Sequence, residues 1–301
     1  MGGAMTESAG SLPVHAALDP AEITARSGSN FLAGFVCLDE ARREAMTVVY
    51  AFCRVVDDAV DDAPDVETGG RWLAFWSEQL EAAVERRADA PVGVALQRSM
   101  ERFGVPAQPL RDLIAGCATD LDPDGPADEA ALELYCYRVA SAVGLACLPI
   151  LGADSEGGRR FAVALGHALQ LTNVLRDLRS DAEIGRVYVP QTWLDELGVD
   201  REALLGRADA STYAAGGGVA ALCERLCTGA RARFDEARRE LLTLPRAERR
   251  GLVAARIMGA VYQDLLGRLE RRGGAIVMPR VRVPKWRKMW LAFAVWAGAR
   301  A

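Results

Sequence analysis

AMTVVYAFCRVVDDAVDD, residues 45–62, carries one periodicity and one charge pattern. Ala45, Val48, Val49, Phe52, Val56 and Val60 recur at helical spacing. Asp39 can cap such a helix and Pro64 cannot continue it, so the spacing predicts a helix from Asp39 or Glu40 to just before Pro64. At its end lie Asp57, Asp58, Asp61 and Asp62. Asp57 and Asp61 share one face, and Asp58 and Asp62 the next, with Cβ atoms about 5–6 Å apart within each pair. Arg54 lies on roughly the same side as Asp57. Like charges at this spacing disfavour an isolated helix by a few tenths of a kcal/mol, and a bound divalent cation would offset that.

Outward from this segment the pattern stays helical. Further helices are expected at about 70–87, 92–103, 107–120, from Asp128 toward Pro149, from Gly157 to about Ala182, and at 191–197, 217–243, 247–272 and the C-terminus. Asp122–Pro126 reads as a loop. Val187–Val189 is the best strand signal and is too short to build a sheet. Residues 1–20 look like a disordered, small-residue tail. No linker divides the remainder, so the expectation is an all-α fold with one helical domain over 21–301.

Bulk properties exclude several classes. The chain has 301 residues, half of them hydrophobic, which suits a globular protein and not a disordered one. A net charge of −5 gives no footprint for nucleic acid. Arginine carries nearly all the positive charge, Lys285 and Lys288 being the only lysines. Seven cysteines at no framework spacing, Cys223 and Cys227 included, read as small buried residues in a reducing compartment. With only His15 and His167, a histidine-based metal site is not expected. The first 20 residues lack a secretory signal, and no run of about 18 uncharged apolar residues could span a bilayer. A cytoplasmic location follows as the expectation.

A second polar stripe lies in GHALQLTNVLRDLRSD, residues 166–181. Gln170, Asn173, Asp177 and Asp181 line up along one helix, with Leu165, Leu169, Val174, Leu175 and Leu178 assigned to the opposite faces. Carboxylates with a carboxamide are hard oxygen ligands of the kind magnesium takes. Either stripe alone reads as a solvated face. Together, two such helices can face each other across a bundle cavity, hold magnesium ions that bind substrate phosphates, and leave an apolar hollow beyond.

At these residues the chain resembles the squalene/phytoene synthase family, from about Ser27 to about Lys288. Four ordered segments carry the resemblance: YAFCRVVDDAVDD (50–62), YCYRVASAVG (135–144), NVLRDLRSD (173–181) and GRVYVP (185–190). It implies an isoprenoid-synthase-type helical bundle with a central apolar cavity. It also implies magnesium ligation by Asp57, Asp61, Asn173, Asp177 and Asp181, with Tyr50 and Arg54 joining the aspartates in catalysis. Tyr50, Arg54, Gln170, Arg176 and Tyr188 would line the diphosphate sites, and Tyr135 would also bind substrate. The early Ser-Phe element falls at Ser29-Asn30-Phe31, with Asn30 in place of the usual serine, and Ser29 and Phe31 would contact substrate. In the basic segment PRVRVPKWRK (279–288), Arg280 is the implied phosphate contact.

Within the family, REAMTVVYAFCRVVDD and PRVRVPKWRKMWLAF look most like the bacterial presqualene diphosphate synthase branch of hopanoid pathways. The implied reaction joins two farnesyl diphosphates head to head, with onward conversion to squalene and use of NADPH left open. The missing G-x-G-x-x-G decides nothing about NADPH in such a fold. The alternatives are a phytoene synthase acting on geranylgeranyl diphosphate, a full squalene synthase, and a non-catalytic assembly protein on the same fold. A class I terpene cyclase is disfavoured by the flanks of the second motif.

Other expectations are local. Alanine at Asp57 or Asp177 should abolish product formation and leave the fold intact. The proton lost in the reaction would pass to released diphosphate or to a tyrosine such as Tyr50. Arg54 and Arg176 suit pairing with neighbouring aspartates as well as with phosphate. Ser141 and Gly144 are either packing residues or room for a prenyl chain. Phe31, Phe35, Leu145 and Leu148 read first as core. Residues 285–301 mix bases with tryptophans, as an interfacial helix does, and as a docked terminal helix can.

Overall fold

The structure, a computed structural model, describes residues 13, 15–27, 34–35, 37–122, 124–202, 204–205, 217–273 and 280–300. Thirteen α-helices run through them: α1 (Pro20–Ser27), α2 (Glu40–Asp61), α3 (Val66–Val84), α4 (Pro91–Phe103), α5 (Ala107–Cys117), α6 (Glu129–Cys136), α7 (Ala142–Leu151), α8 (Glu156–Glu183), α9 (Gln191–Leu197), α10 (Gly218–Thr243), α11 (Arg246–Gly251), α12 (Val253–Glu270) and α13 (Lys285–Arg300). No strand occurs among the described residues, Val187–Val189 included.

The capping residues set the starts. Asp39 accepts the Arg42 N–H at 2.9 Å, Asp65 that of Thr68 at 2.7 Å, Asp128 that of Ala131 at 2.9 Å, and Ser155 that of Gly158 at 3.1 Å. α2 is buried among α3, α4, α5 and α7. Its Phe52 meets the fully buried Trp76 of α3 edge to face at 6.5 Å. α8 lies along α10 for much of its length.

α1 was not among the expected helices, and two others differ from expectation. The run from Asp128 does not stop at Pro149. It continues to Leu151, with a π-helical turn at Tyr137–Ser141, and ends at Gly152 in the left-handed region (φ 68°). Pro149 is tolerated in the last turn, where it costs a single backbone bond. The wide turn sets Ser141 under α8: its hydroxyl donates to Val163 O at 2.8 Å, and a Cβ on Gly166 would lie 2.5 Å from Ser141 Cα. Ser141 is therefore a packing residue. Glu129–Leu151 is long and apolar enough to span a bilayer by composition, yet it packs in the bundle against α5 and α8. The helix expected at 247–272 is broken after Gly251, whose missing side chain admits the Leu151 carbonyl; a Cβ there would sit 2.0 Å from that oxygen.

The tail expected over residues 1–20 is corrected for its described end. Ala16 is buried, and His15 Nε2 reaches Asp58 Oδ2 at 3.1 Å, so this segment packs on α2.

Candidate active site

α2, α5, α7, α8 and α12 enclose a cavity of about 350 Å³. Its interior is apolar, with Phe35, Met46, Leu148, Phe161 and Met258 among its walls. At one end Tyr50, Arg54, Asp57, Asp120, Gln170 and Asn173 turn the lining polar. Asp57 of α2 and Asn173 of α8 thus face the same space. Along α8, Leu165 and Leu169 line the cavity with Gln170 and Asn173, so these leucines are not on an opposite face as expected. One face of α8 is apolar toward its N-terminal half and polar toward its C-terminal half.

The acidic run of α2 is divided by its period. Asp57 lines the cavity, whereas Asp58 turns to the N-terminal segment, where His15, Asp58 and Asp62 bring their ligand atoms within 4.8 Å of one another. Arg54 serves both sides, donating to Asp57 Oδ2 at 3.2 Å and to Asp58 Oδ2 at 3.0 Å. There Asp58 also pairs with Arg54, and His15 joins the N-terminal segment to α2.

Arginines hold the other carboxylates. Asp61 pairs with Arg186, whose charge also acts on Asp120 and Asp181. One guanidinium therefore ties the end of α2 to the end of α8. Asp177 is gripped from two sides, by Arg280 at 2.7 Å to each oxygen and by Arg176 at 2.9 Å through Nε. Burial disfavours the Asp177 charge, but Arg176 and Arg280 outweigh it and hold the carboxyl below its ordinary range.

Acids that share an arginine or have none at ion-pair distance behave in the opposite way. Burial, then the nearby Asp61, pushes Asp57 up to about 7, with Arg54 opposing. The Asp57 side chain is 48% exposed toward the cavity, and water there moderates this effect of burial. Burial and Asp177 raise Asp181 to about 7, and burial raises Asp120 to about 6 against Arg186. The site holds more negative charge than its arginines neutralise.

The residues fit a divalent cation on one further observation. Asn173 Nδ2 donates to Gln170 Oε1 at 3.2 Å, while Asn173 Oδ1 is buried without a hydrogen-bond partner. A buried carbonyl oxygen with no donor costs about 1–3 kcal/mol, and a hard cation would satisfy it.

Of the remaining expected residues, Tyr50, Arg54, Tyr135 and Gln170 line the cavity. Tyr188 stacks on Tyr135 with ring centroids 5.0 Å apart and lines a neighbouring pocket of about 200 Å³. Tyr135 OH donates to Asp120 at 3.4 Å. Phe35, Leu148 and Gly144 line the cavity, and Leu145 packs against the core. Ser29 and Phe31 lie outside the described residues. Three site residues were not picked out from the sequence: Asp120, Arg186 and Tyr262, the last a cavity residue that hydrogen-bonds Arg176. Arg186 sits in the quoted GRVYVP segment, which was its only signal.

The family model described as squalene/phytoene synthase matches residues 24–287. The chain belongs to the squalene/phytoene synthase family. Within this family it is 37% identical over 280 residues to a presqualene diphosphate synthase of Rhodopseudomonas palustris, covering 92% of this chain and 97% of the relative. A presqualene diphosphate synthase of Zymomonas mobilis is 34% identical, covering 90% of each chain. A 15-cis-phytoene synthase of Synechococcus elongatus is 31% identical, covering 89% of this chain and 88% of the relative. Among solved structures, a dehydrosqualene synthase in complex with ligand superposes with a TM-score of 0.76 at 26% identity, over 93% of this chain and 95% of that one.

Proposed function

We propose that the protein is a magnesium-dependent prenyl transferase that joins two farnesyl diphosphates into presqualene diphosphate, feeding a hopanoid-type pathway in the cytoplasm. One observation carries the reading: Asp57 and Asn173, from the two acidic helices, line the polar end of a single apolar cavity. Supporting the choice of product, the presqualene diphosphate synthases are 37% and 34% identical to this chain, against 31% for the phytoene synthase named above. Cys53, Cys117, Cys136, Cys147, Cys223 and Cys227 form no disulfide, in keeping with a reducing compartment.

Asp57, Asp61, Asn173, Asp177 and Asp181 would hold magnesium. When bound, magnesium neutralises the diphosphate and makes it a leaving group. Arg54, Arg176, Arg186 and Arg280 now rest on carboxylates and are placed to turn to phosphate oxygens, which they can grip bidentately. The C1–O bond of the first farnesyl group breaks with its electron pair going to diphosphate, leaving an allylic cation. The apolar walls exclude water from that cation. The 2,3-double bond of the second molecule attacks C1, and loss of one proton closes the cyclopropane. The proton goes to the departed diphosphate or to Tyr50, which lines the cavity near Arg54 and Asp57.

The test incubates purified protein and magnesium with farnesyl or geranylgeranyl diphosphate, with and without NADPH, and reads products by mass. Presqualene diphosphate from farnesyl diphosphate alone supports the proposal. A product only from geranylgeranyl diphosphate would replace it with phytoene synthesis, and no coupling of either would favour an assembly role. Squalene appearing only with NADPH would extend the reaction.

A further inference from the structure

The C-terminal helix α13 has a face that the bundle does not cover. Trp286, Met289, Trp290 and Phe293 follow steps of three, one and three along it, one stripe of a helix, and are 67%, 73%, 54% and 64% exposed. Ala294 and Ala297 extend the exposed stripe, while Leu291 turns inward and packs on the core. The helix is pinned at its start: Arg287 Nε donates to Asp264 at 2.9 Å, and its guanidinium stacks over the Trp290 ring at 4.8 Å. The outward aromatic face is therefore held in place by the body of the protein.

Charge is segregated along the same strip. Between residues 280 and 300 the bases are Arg280, Arg282, Lys285, Arg287, Lys288 and Arg300, and there is no acid, in a chain of net charge −5. Arg282 and Lys285 are exposed beside the apolar stripe. A two-fold pairing of this face with a second copy would gather charge of one sign from both molecules, with no carboxylate in the strip to offset it. An anionic bilayer offers what both features need: hydrocarbon for the stripe and negative headgroups for the bases, with tryptophan rings at the boundary. α13 also packs on α12, whose Ala255, Met258 and Tyr262 line the cavity, so one helix separates this face from the prenyl-sized hollow.

We infer that α13 lies on the surface of an anionic membrane, inserting Trp286, Met289, Trp290 and Phe293 and keeping Arg282 and Lys285 at the headgroups. This goes beyond the catalytic proposal and does not depend on it, since binding is measured without substrate.

Flotation of the full-length protein with phosphatidylcholine vesicles, with and without phosphatidylglycerol, tests it. Wild type is expected to float with the anionic vesicles. Met289→Glu/Phe293→Glu should bind at least about tenfold less, and each of Arg282→Gln and Lys285→Gln about fivefold less. Unchanged melting temperatures show that the variants are folded. A wild type that stays at the bottom of the gradient, or a Met289→Glu/Phe293→Glu protein that floats equally well, overturns the inference. So does a wild-type dimer, read by light scattering, that the same double substitution dissolves while no vesicle binding occurs; a second copy would then be the occupant. Binding to vesicles without any prenyl transfer leaves the inference standing and removes only the catalytic reading.

Discussion

Asn173 and Asp177 stand one helical turn apart on α8 and are satisfied in opposite ways. Asn173 Oδ1 has no donor, so Asn173→Ala removes an unmet acceptor and should leave the metal-free melting temperature unchanged or slightly higher. Magnesium affinity should fall by at least the 10–100-fold, roughly, that even outer-shell partners of a metal command. Titrating magnesium against melting temperature reads both effects, and an unaltered affinity would remove Asn173 from the ligand set. Asp177 is different, because Arg176 and Arg280 both rest on it. The expectation that Asp177→Ala leaves the fold intact is therefore revised. Truncation strands the largely buried Arg176 guanidinium and should lower stability by about 3 kcal/mol, the low end for a broken buried pair because Arg280 is half exposed. Asp57→Ala, by contrast, relieves a crowded carboxylate and should not lower stability, while product formation is lost in both. Urea midpoints of the two variants separate these outcomes; equal midpoints would mean that the arginine grip on Asp177 adds nothing to folding.

The same contrast holds between elements. Gly166 lies where α8 crosses the π turn, and its Cβ would strike the Ser141 backbone, a contact that cannot give. Alanine elsewhere in a helix gains up to about 1 kcal/mol over glycine, but at Gly166 overpacking should turn this into a loss of about 1–3 kcal/mol. Gly70 on α3 has nothing within 4 Å of its Cβ, so Gly70→Ala should stabilise the protein; chemical denaturation of both variants checks the pair, and a stabilising Gly166→Ala would mean the two helices can move apart. Neither α2 nor α8 was hard to read in sequence, since their periods of three and four and the Asp39 cap of α2 are local properties, although the Ser155 cap of α8 was not picked out. The period also divided Asp57/Asp61 from Asp58/Asp62, but only the family resemblance said which pair should face the substrate. What was illegible is non-local. Asp120 lies in a short 3₁₀ turn, Ala118–Leu121, and in sequence reads only as the end of the expected 107–120 helix, and Arg186 becomes a site residue only because the fold carries it to Asp61 across 125 positions. The break at Gly251 depends on the Leu151 carbonyl a hundred residues earlier. The π turn depends on what crosses it, so a run of helix formers gave no sign of it.

For the molecule as a whole, the concentration of like charge at one end of the cavity couples folding to pH and, on the proposed magnesium site, should couple it to metal. Asp57 and Asp181 lie at about 7 and Asp120 at about 6 in the folded protein, all above the ordinary carboxylate range. A folded-state value above the unfolded one means that the native protein binds more protons, so its stability falls as pH rises. This contribution is complete below the unfolded value of about 4 and is lost as pH passes through about 7. His167 acts in the other direction. Burial lowers its value, so its contribution is complete above about 6.5 and is lost as pH falls from there. With EDTA present the acidic cluster should dominate between about pH 6.5 and 8, and the melting temperature should fall across that window. Magnesium must displace the same protons, so for carboxyls near 7 its affinity should rise across the window by about fourfold for each one released. At a magnesium concentration one hundred times its dissociation constant, the stabilisation reaches about 2.7 kcal/mol, and the same concentration gives much less on the acid side. Melting curves in EDTA and in magnesium at both ends of the window test this reasoning together. A flat profile in EDTA would mean that the crowded carboxylates do not share one low-dielectric site, and an equal magnesium shift at both pH values would mean that the cation binds elsewhere.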